Sequence, residues 1–505
     1  MNLKKIACIV LVLCMCIPVL ASCTSGPQVA TKGQANSSLD TQYPNADYAG
    51  EKFTFLEIKH DDLNKKDYYG GEYLDAESIT GDTISDAVYE RNIKVEEKYN
   101  VDVESHKEPK TAPAEILRNL VMAGDFSYDA IYGWGYKMGA CIVENYFADF
   151  STLPNIDLEK EYWGPSAIED LTVGDSIYLC INDISMNKLE HAGFYFYNKA
   201  VYEDFNIEGQ FGNIYQHVKD GTWTLDLYLE MVKAVNSDLD GDSVISRDDI
   251  FGLVDGNGLG VEFLHTSGIT YTTKNDDGSY NLNIYSEKSL KIIEKVHAVY
   301  SNDKYVKNYD ELINGADITG YDDQYQYARS VFTTGHSLFC GGSANATSEA
   351  PFRNMEDDYG IVPMPKYDKD QENYVSPVSS LASIFAIPAT TRQDGVSTAS
   401  MERTGMILEY MAFKSNEIVL PKYYDQVLKG QRLDGEDAEM LDIIRSTIRY
   451  EIAEMTSEEP TITKTLEEMF KKPSTATSKY NANKSKIQRE LDDFYTEVLL
   501  LGTEG

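Results

Sequence analysis

"HAGFYFYNKAVYEDFNI", residues 191–207, decides the fold. Its first half is a short apolar-aromatic run that reads as a strand. Its second half is amphipathic at helical spacing, so strand passes directly into helix. The same alternation extends outward in both directions. "KFTFLEI" (52–58) reads as a β-rich run that opens a sheet, and "YDAIYGWG" (128–135) as a buried strand ending in glycines. Between them, Ala87, Val88, Asn92, Val95 and Tyr99 fall at helical spacing, which predicts a helix from Ile84 to Tyr99 running into a strand at Val101–Val103. "APAEILRNLVMAG" predicts another helix, stopped at Gly124. "GTWTLDLYLEMVKAVNS" is a helix with Thr222 or Thr224 as N-cap. "KSLKIIEKVHAVYS" is helical, "DYGIVPMPKY" a strand broken by two prolines, and the final hundred residues mostly helical. Strands alternating with helices predict α/β lobes rather than a sandwich.

The start of the chain speaks of compartment. "MNLKKIACIVLVLCMCIPVLASC" carries two lysines, an apolar run from Ile6 to Leu20 and small residues before Cys23. That is the layout of a secretory signal over 1–22. Leu20-Ala21-Ser22-Cys23 resembles the bacterial lipobox, in which the cysteine is lipidated and anchors the protein to a membrane. Residues 23–48 are poor in core formers, and read as the lipidated N-terminus and a flexible linker. The expected location is extracytoplasmic, with membrane contact through the lipid alone.

Composition excludes other classes. Against 45 Lys+Arg stand 82 Asp+Glu, a formal charge of −37, which repels phosphate backbones and argues against nucleic-acid binding. Beyond the signal and Cys23 only Cys141, Cys180 and Cys340 remain, neither a disulfide framework nor a zinc-type pairing. The 36 tyrosines suit clefts that stack on polar rings. No GxSxG, HExxH, GxxxxGK[ST] or strand-linked GxGxxG occurs. "GDSIYLCINDIS" and "GHSLFCGGS" hold Ser, His and Cys near glycine, but show no positioned base for a nucleophile.

Taken in order, "FTFLEI", "AVYERNIKVEEKYNV", "YDAIYGWG", "GFYFYNKAVYEDFNI", "GTWTLDLYLEMVKAV", "YGIVPMPKYDKDQENYVSPVSS" and "YYDQVLKGQ" resemble the family 1 extracellular solute-binding proteins, receptor lipoproteins of carbohydrate-type ABC importers, similar in organisation to maltose-binding protein. The resemblance covers nearly the whole chain after the linker. It implies an α/β, bilobal periplasmic-binding-protein-like fold with a hinge and an interlobe cleft that closes on solute, without catalytic machinery. The lobes expected are 49–183 with 360–416, and 188–357 with 417–505. The implied partners are a small-molecule solute, in the first place a carbohydrate, and ABC permease subunits, with the protein itself a monomer. Two other readings stay open: an extracytoplasmic sensor or interaction lipoprotein, and a secreted carbohydrate-active enzyme.

A sugar site combines aromatic faces with amides and carboxylates. Trp134, between glycines at a strand end, is the first expectation, with Tyr136 beside it, since ligands sit at the carboxyl ends of strands in open α/β sheets. By resemblance, "YLCINDISM" matches the first crossing strand, which would turn Asn182 and Asp183 into the cleft. Ser343 and Asn345 lie in a small polar loop, His60 and Asp61 follow the first strand, and Ser379 in "SPVSS" would line the hinge side.

One further stretch, "SDLDGDSVISRDDIFG" (237–252), spaces acids at every second residue. Asp238, Asp240, Asp242, the Val244 carbonyl, Ser246 and Asp249 occupy the 1-3-5-7-9-12 positions of an EF-hand-like calcium loop. Two departures stand out. Position 6 is Ser243 rather than Gly, so a side chain must accept positive φ, and position 12 is the short-armed Asp249. "DIFGLVDG" leaves as a strand, so the expectation is a structural Ca2+ staple, not a sensor; an acidic loop after the "GTW" helix is also what the resemblance implies.

Overall fold

The computed structural model describes residues 40–59, 73–109, 113–125, 127–256, 259–276, 278–392, 401–429, 433 and 435–503. The expected signal segment, Cys23, His60 and Asp61 lie outside the described residues. Among the described residues no helix is long and apolar enough to cross a membrane.

In chain order the strands are β1 (Glu51–Lys59), β2 (Val101–Pro109), β3 (Ala130–Trp134), β4 (Phe147–Ala148), β5 (Phe194–Asn198), β6 (Asn236–Ser237), β7 (Ile250–Asp255), β8 (Thr272–Lys274), β9 (Tyr280–Leu282), β10 (Val306–Asn308), β11 (Ser337–Gly342), β12 (Tyr359–Pro363), β13 (Ser376–Pro377), β14 (Ser383–Pro388) and β15 (Ile448–Arg449). They form two main sheets, ordered β2-β1-β3-β14-β4 and β10-β7-β11-β5-β12. In the first, β1, β2 and β3 are parallel and β14 runs antiparallel to β3. In the second, β7, β10 and β11 are parallel, and β5 lies antiparallel between β11 and β12. All five residues of β5 are buried, as its unbroken aromatic run requires of a strand covered on both faces.

Local signals explain the best-read elements. Helix Thr83–Tyr99 starts where the Asp82 carboxylate accepts from the Ile84 and Ser85 amides, and ends at Asn100 in the left-handed conformation. Ala87, Val88, Asn92, Val95 and Tyr99 form its buried face, as their spacing predicts. Arg91 joins that face unforeseen: its guanidinium donates to the Tyr73, Leu74 and Ile184 carbonyls and so meets the burial requirement of its polar atoms. Thr224 caps helix Leu225–Ala234 through the Leu227 amide. Trp223 is fully buried and donates its indole N–H to the Pro363 carbonyl at 2.8 Å, anchoring that helix to β12.

The expected lobe limits need three corrections. The run 360–363 was assigned to the first lobe, yet Tyr359–Pro363 pairs with β5 in the second sheet. The two prolines, expected to break a strand, sit at and beyond the end of β12, where no ladder N–H is needed. The first lobe also extends past residue 416. Helix Met401–Lys414 continues through a π turn, Ser415–Val419, into Leu420–Lys429, which lies against helix Thr83–Tyr99. The second lobe regains the chain at helix Gly435–Ser446, where Asp437 accepts from Tyr215 Oη at 2.6 Å and Ile361 N at 2.9 Å. Finally, the linker expected to reach residue 48 ends earlier. Tyr43 is buried against Tyr410 and Phe413, and Lys98 Nζ donates to its carbonyl.

Segments crossing between the sheets run side by side. Cys180 bridges to Phe385 and Ala192 to Val378, while β13 pairs in parallel with β15. This narrow band of extended chain underlies everything at the site.

Candidate functional site

The second sheet's parallel strands end toward that band. β7 finishes at Asp255 and Gly256, β11 at Gly341 and Gly342, and antiparallel β5 begins there with Phe194 and Tyr195. Over these ends lies a cavity of about 420 Å³. The one-turn helix Phe263–Thr266 and its approach give Glu262 and His265, and the crossing band gives His191 and Pro377–Ser379. Glu451 and Glu454 follow β15, and Glu467 comes from helix Thr461–Lys471. Ligand sites at strand carboxyl ends are the rule in open α/β sheets.

The base of the cavity is a tyrosine relay. Tyr195 and Tyr228 stack with ring centroids 4.6 Å apart, and both hydroxyls meet Tyr300 Oη, at 2.9 and 3.1 Å. Tyr300 also bonds the Asp255 carboxyl, which accepts the Gly256 amide at 2.8 Å. β11 has glycine at 341 for a steric reason: a Cβ there would overlap an Asp255 carboxylate oxygen and come within 2.9 Å of its Cγ.

Among the described residues, five carboxyl groups line this space and no lysine or arginine does. Asp255, Glu262 and Glu454 keep exposed surface although they lie deep in the protein, because that surface faces the cavity. Burial pushes Asp255 and Glu262 above the ordinary carboxyl range, and the Asp255 charge pushes Glu262 further. Burial lifts Glu451 to about 8, although its carboxylate accepts the Tyr271 amide at 2.7 Å, and Glu454 to about 7. Burial lowers His191 and His265 to about 4, so both imidazoles are neutral at pH 7. His191 Nε2 is buried with no hydrogen-bond partner.

Of the residues expected from sequence, Ser379 lines the cavity. Trp134 stands at the carboxyl end of β3 as expected, but only 9% exposed, stacked on Tyr136 at 5.8 Å, and not in the cavity wall. Tyr136 comes within one residue of it, its amide bonding the Ser380 carbonyl at 2.9 Å. Ser343 Oγ donates to Asn345 Oδ1 at 2.8 Å, just past Gly342 at the rim. Asn182 is 2% exposed and accepts the Ile184 amide. Asp183, expected to face solute, is instead fully buried in an ion cluster with Lys188 (2.7 Å), Arg445 (2.8 Å) and Asn416 (2.7 Å). Burial opposes its ionisation, but the two cations outweigh that and hold its carboxyl below the usual range. Asp183 thus ties the crossing band to the Asn416 turn and to helix Gly435–Ser446. The sequence reading missed Asp255, Glu262, Glu451 and Glu454. Only Asp255 carried a local signal, an acid followed by glycine at a strand end.

The acidic loop spans the antiparallel β6–β7 connection, its ends clamped by the Ser237–Ile250 pair. Carboxylates of Asp238, Asp240 and Asp242 approach within 4.8 Å of one another. Gly241 and Ser243 take positive φ (77° and 70°), the conformation the sequence required of position 6. These three acids fit a hard cation. Asp249 turns inward instead: its two oxygens accept the Leu239 and Ser246 amides, both at 2.7 Å. The loop exits into β7, as expected.

No protein-family model and no curated protein matches the sequence. Solved structures do. A cyclo/maltodextrin-binding protein complexed with maltotetraose superposes with TM-score 0.53 at 14% identity, over 87% of this chain and 97% of the other. UspC of M. tuberculosis gives TM-score 0.53 at 11% identity, over 88% and 100%. An ABC substrate-binding protein from Listeria monocytogenes in complex with cycloalternan gives 0.51 at 10%, over 87% and 98%. At such identities the likeness is one of fold. Two α/β lobes joined by crossing strands, with a cavity at the strand ends of the second sheet, give this chain the bilobal fold of the maltodextrin-binding and other ABC substrate-binding proteins.

Proposed function

We propose that the protein is the extracytoplasmic solute-binding receptor of an ABC importer, anchored through lipid on Cys23, that captures a sugar-sized polar solute and delivers it to a membrane permease. The observation that carries this reading is the cavity of about 420 Å³ at the carboxyl ends of β7 and β11, walled on one side by the crossing band. Its volume lies in the range of small-molecule sites. A solute that touches both the second sheet and the crossing band has different contacts in open and closed forms. That difference is what shifts a hinge equilibrium. On closure, Trp134 and Tyr136 at the end of β3 supply the aromatic face of the first lobe, with Ser343, Asn345 and Ser379 at the rim.

The protein binds and does not turn over its ligand. Two of the fold neighbours, the cyclo/maltodextrin-binding protein and the Listeria monocytogenes ABC substrate-binding protein, are binding proteins, complexed with maltotetraose and cycloalternan. The loop 238–249 is a local Ca2+ staple held by Asp238, Asp240 and Asp242, bracing the entry to β7, the strand that carries Asp255. A thermal-shift screen over mono- and oligosaccharides tests the receptor reading. A rise in melting temperature with unchanged sugar in the product analysis supports it. Hydrolysis of a sugar, or a flat response across the screen, overturns it.

A further inference from the structure

The charge of the cavity is out of keeping with the rest of the protein. Elsewhere, buried carboxylates sit beside a cation: Asp129 with Arg403, Asp183 with Lys188 and Arg445, Asp170 with Arg449, and Glu349 with Arg329. Others accept from neutral donors: Glu190 from Tyr73 Oη, Glu409 from the Trp163 indole N–H, and Asp249 from the Leu239 and Ser246 amides. In the cavity Asp255 and Glu451 accept such bonds, but Glu262 and Glu454 follow neither pattern. Among the described residues, Glu262 and Glu454 accept no hydrogen bond from a side chain, and the nearest cation along the chain, Arg449, is committed to Asp170. A buried acid without a partner is costly, so such a set persists where a ligand completes it.

We propose that the solute of this cavity is cationic: a sugar-sized molecule bearing a protonated amine, of the amino-sugar class. This rests on the receptor reading and narrows its ligand. Glu262, Glu454 and Asp255 receive the ammonium, and Tyr195 and Tyr271 stand in the same wall. His191, nine-tenths buried with an unpartnered Nε2 in the wall, offers a neutral donor or acceptor for a hydroxyl. A bare metal ion fits less well. Among the described residues only Asp238, Asp240 and Asp242 bring three ligand atoms within 4.8 Å of one another, so the cavity carboxyls are spread around a wall, not gathered on a point.

Binding is then linked to protons. The groups facing the ammonium are Asp255 from β7, Glu262 and His265 from the one-turn helix, Glu451 and Glu454 beside Arg449, Glu467 from helix Thr461–Lys471, His191 from the crossing band, and the Tyr195, Tyr271 and Tyr300 phenols. Carboxyls raised by burial hold protons in the empty cavity near neutrality. A cation favours their ionised form, so it expels protons and binds more tightly as pH rises toward 7, until the solute's own amine begins to lose its proton.

The test is calorimetric titration of the full chain with D-glucosamine, D-glucose and N-acetyl-D-glucosamine, and with the matching disaccharides, in buffers of different ionisation enthalpy. The amine member should bind with proton release, and Glu262→Gln or Glu454→Gln should weaken it by about tenfold or more. Ligand-free variants that melt no lower than the wild-type chain keep folding out of the comparison. Glucose or N-acetylglucosamine binding as tightly as glucosamine overturns the charge inference while leaving the receptor reading standing. Silence from the whole matched set also overturns the inference, and reaches the receptor reading only if the neutral-sugar screen is silent too.

Discussion

Gly341→Ala is the sharpest probe of how β11 and β7 build the cavity. The added methyl would overlap an Asp255 carboxylate oxygen and stand 2.9 Å from Cγ and 3.5 Å from Tyr195 Cε1. Tyr195 is pinned by its stack on Tyr228 and its bond to Tyr300, so Asp255 is the group that moves. Moving it breaks the 2.8 Å bond from the Gly256 amide and the contact with Tyr300. Overpacking costs about 1–3 kcal/mol and a displaced charged hydrogen bond about 1.5–3 kcal/mol, so the sum is about 2.5–6 kcal/mol. Urea denaturation of Gly341→Ala, Asp255→Ala and the double variant reads this directly. In the Asp255→Ala background the methyl has room, so Gly341→Ala should cost little there, and the cycle should show a coupling of about 2 kcal/mol or more. Additive single effects, or a Gly341→Ala protein of wild-type stability, would falsify the steric account.

Three other outcomes follow from contacts already described. Asp183→Asn leaves Lys188 and Arg445 buried with one partner fewer, and should cost about 3–5 kcal/mol in chemical denaturation. Glu451 and Glu454 titrate at about 8 and 7 in the folded chain, against an ordinary 4.5. The folded state therefore holds more protons than the unfolded one between pH 4.5 and 8, and these groups make the ligand-free protein less stable as pH rises across that window. Glu451→Gln with Glu454→Gln should flatten the profile in a pH series of melting curves. Calcium should stabilise the chain by about 2.7 kcal/mol when in hundredfold excess over Kd, and Asp238→Ala with Asp240→Ala should abolish the effect of a chelator.

What sequence made legible was local. Helix Thr83–Tyr99 announced itself by its apolar spacing, β5 by its aromatic run, and Ser243 by its place in the acidic loop. Partner choice was not legible. Nothing in "YGIVP" says that it pairs with β5 and not with the first sheet, since both environments ask for the same buried residues. A helix running through Ser415–Val419 escaped because a π turn leaves the apolar pattern nearly continuous. The cavity acids were hidden by distance: Asp255 and Glu454 meet only after the chain has crossed the hinge and returned. Among 82 acids, no spacing singles them out.

The place of β14 has a consequence for how the protein is made. β3 pairs with β1 as soon as Ala130–Trp134 has been synthesised, but its other edge waits for Ser383–Pro388, and the whole second sheet is made in between. Throughout that interval a nascent chain carries an open, apolar strand edge, the kind that recruits neighbouring chains. Export of the polypeptide before it folds, with a holding chaperone over β3, would let both halves close together once β14 arrives.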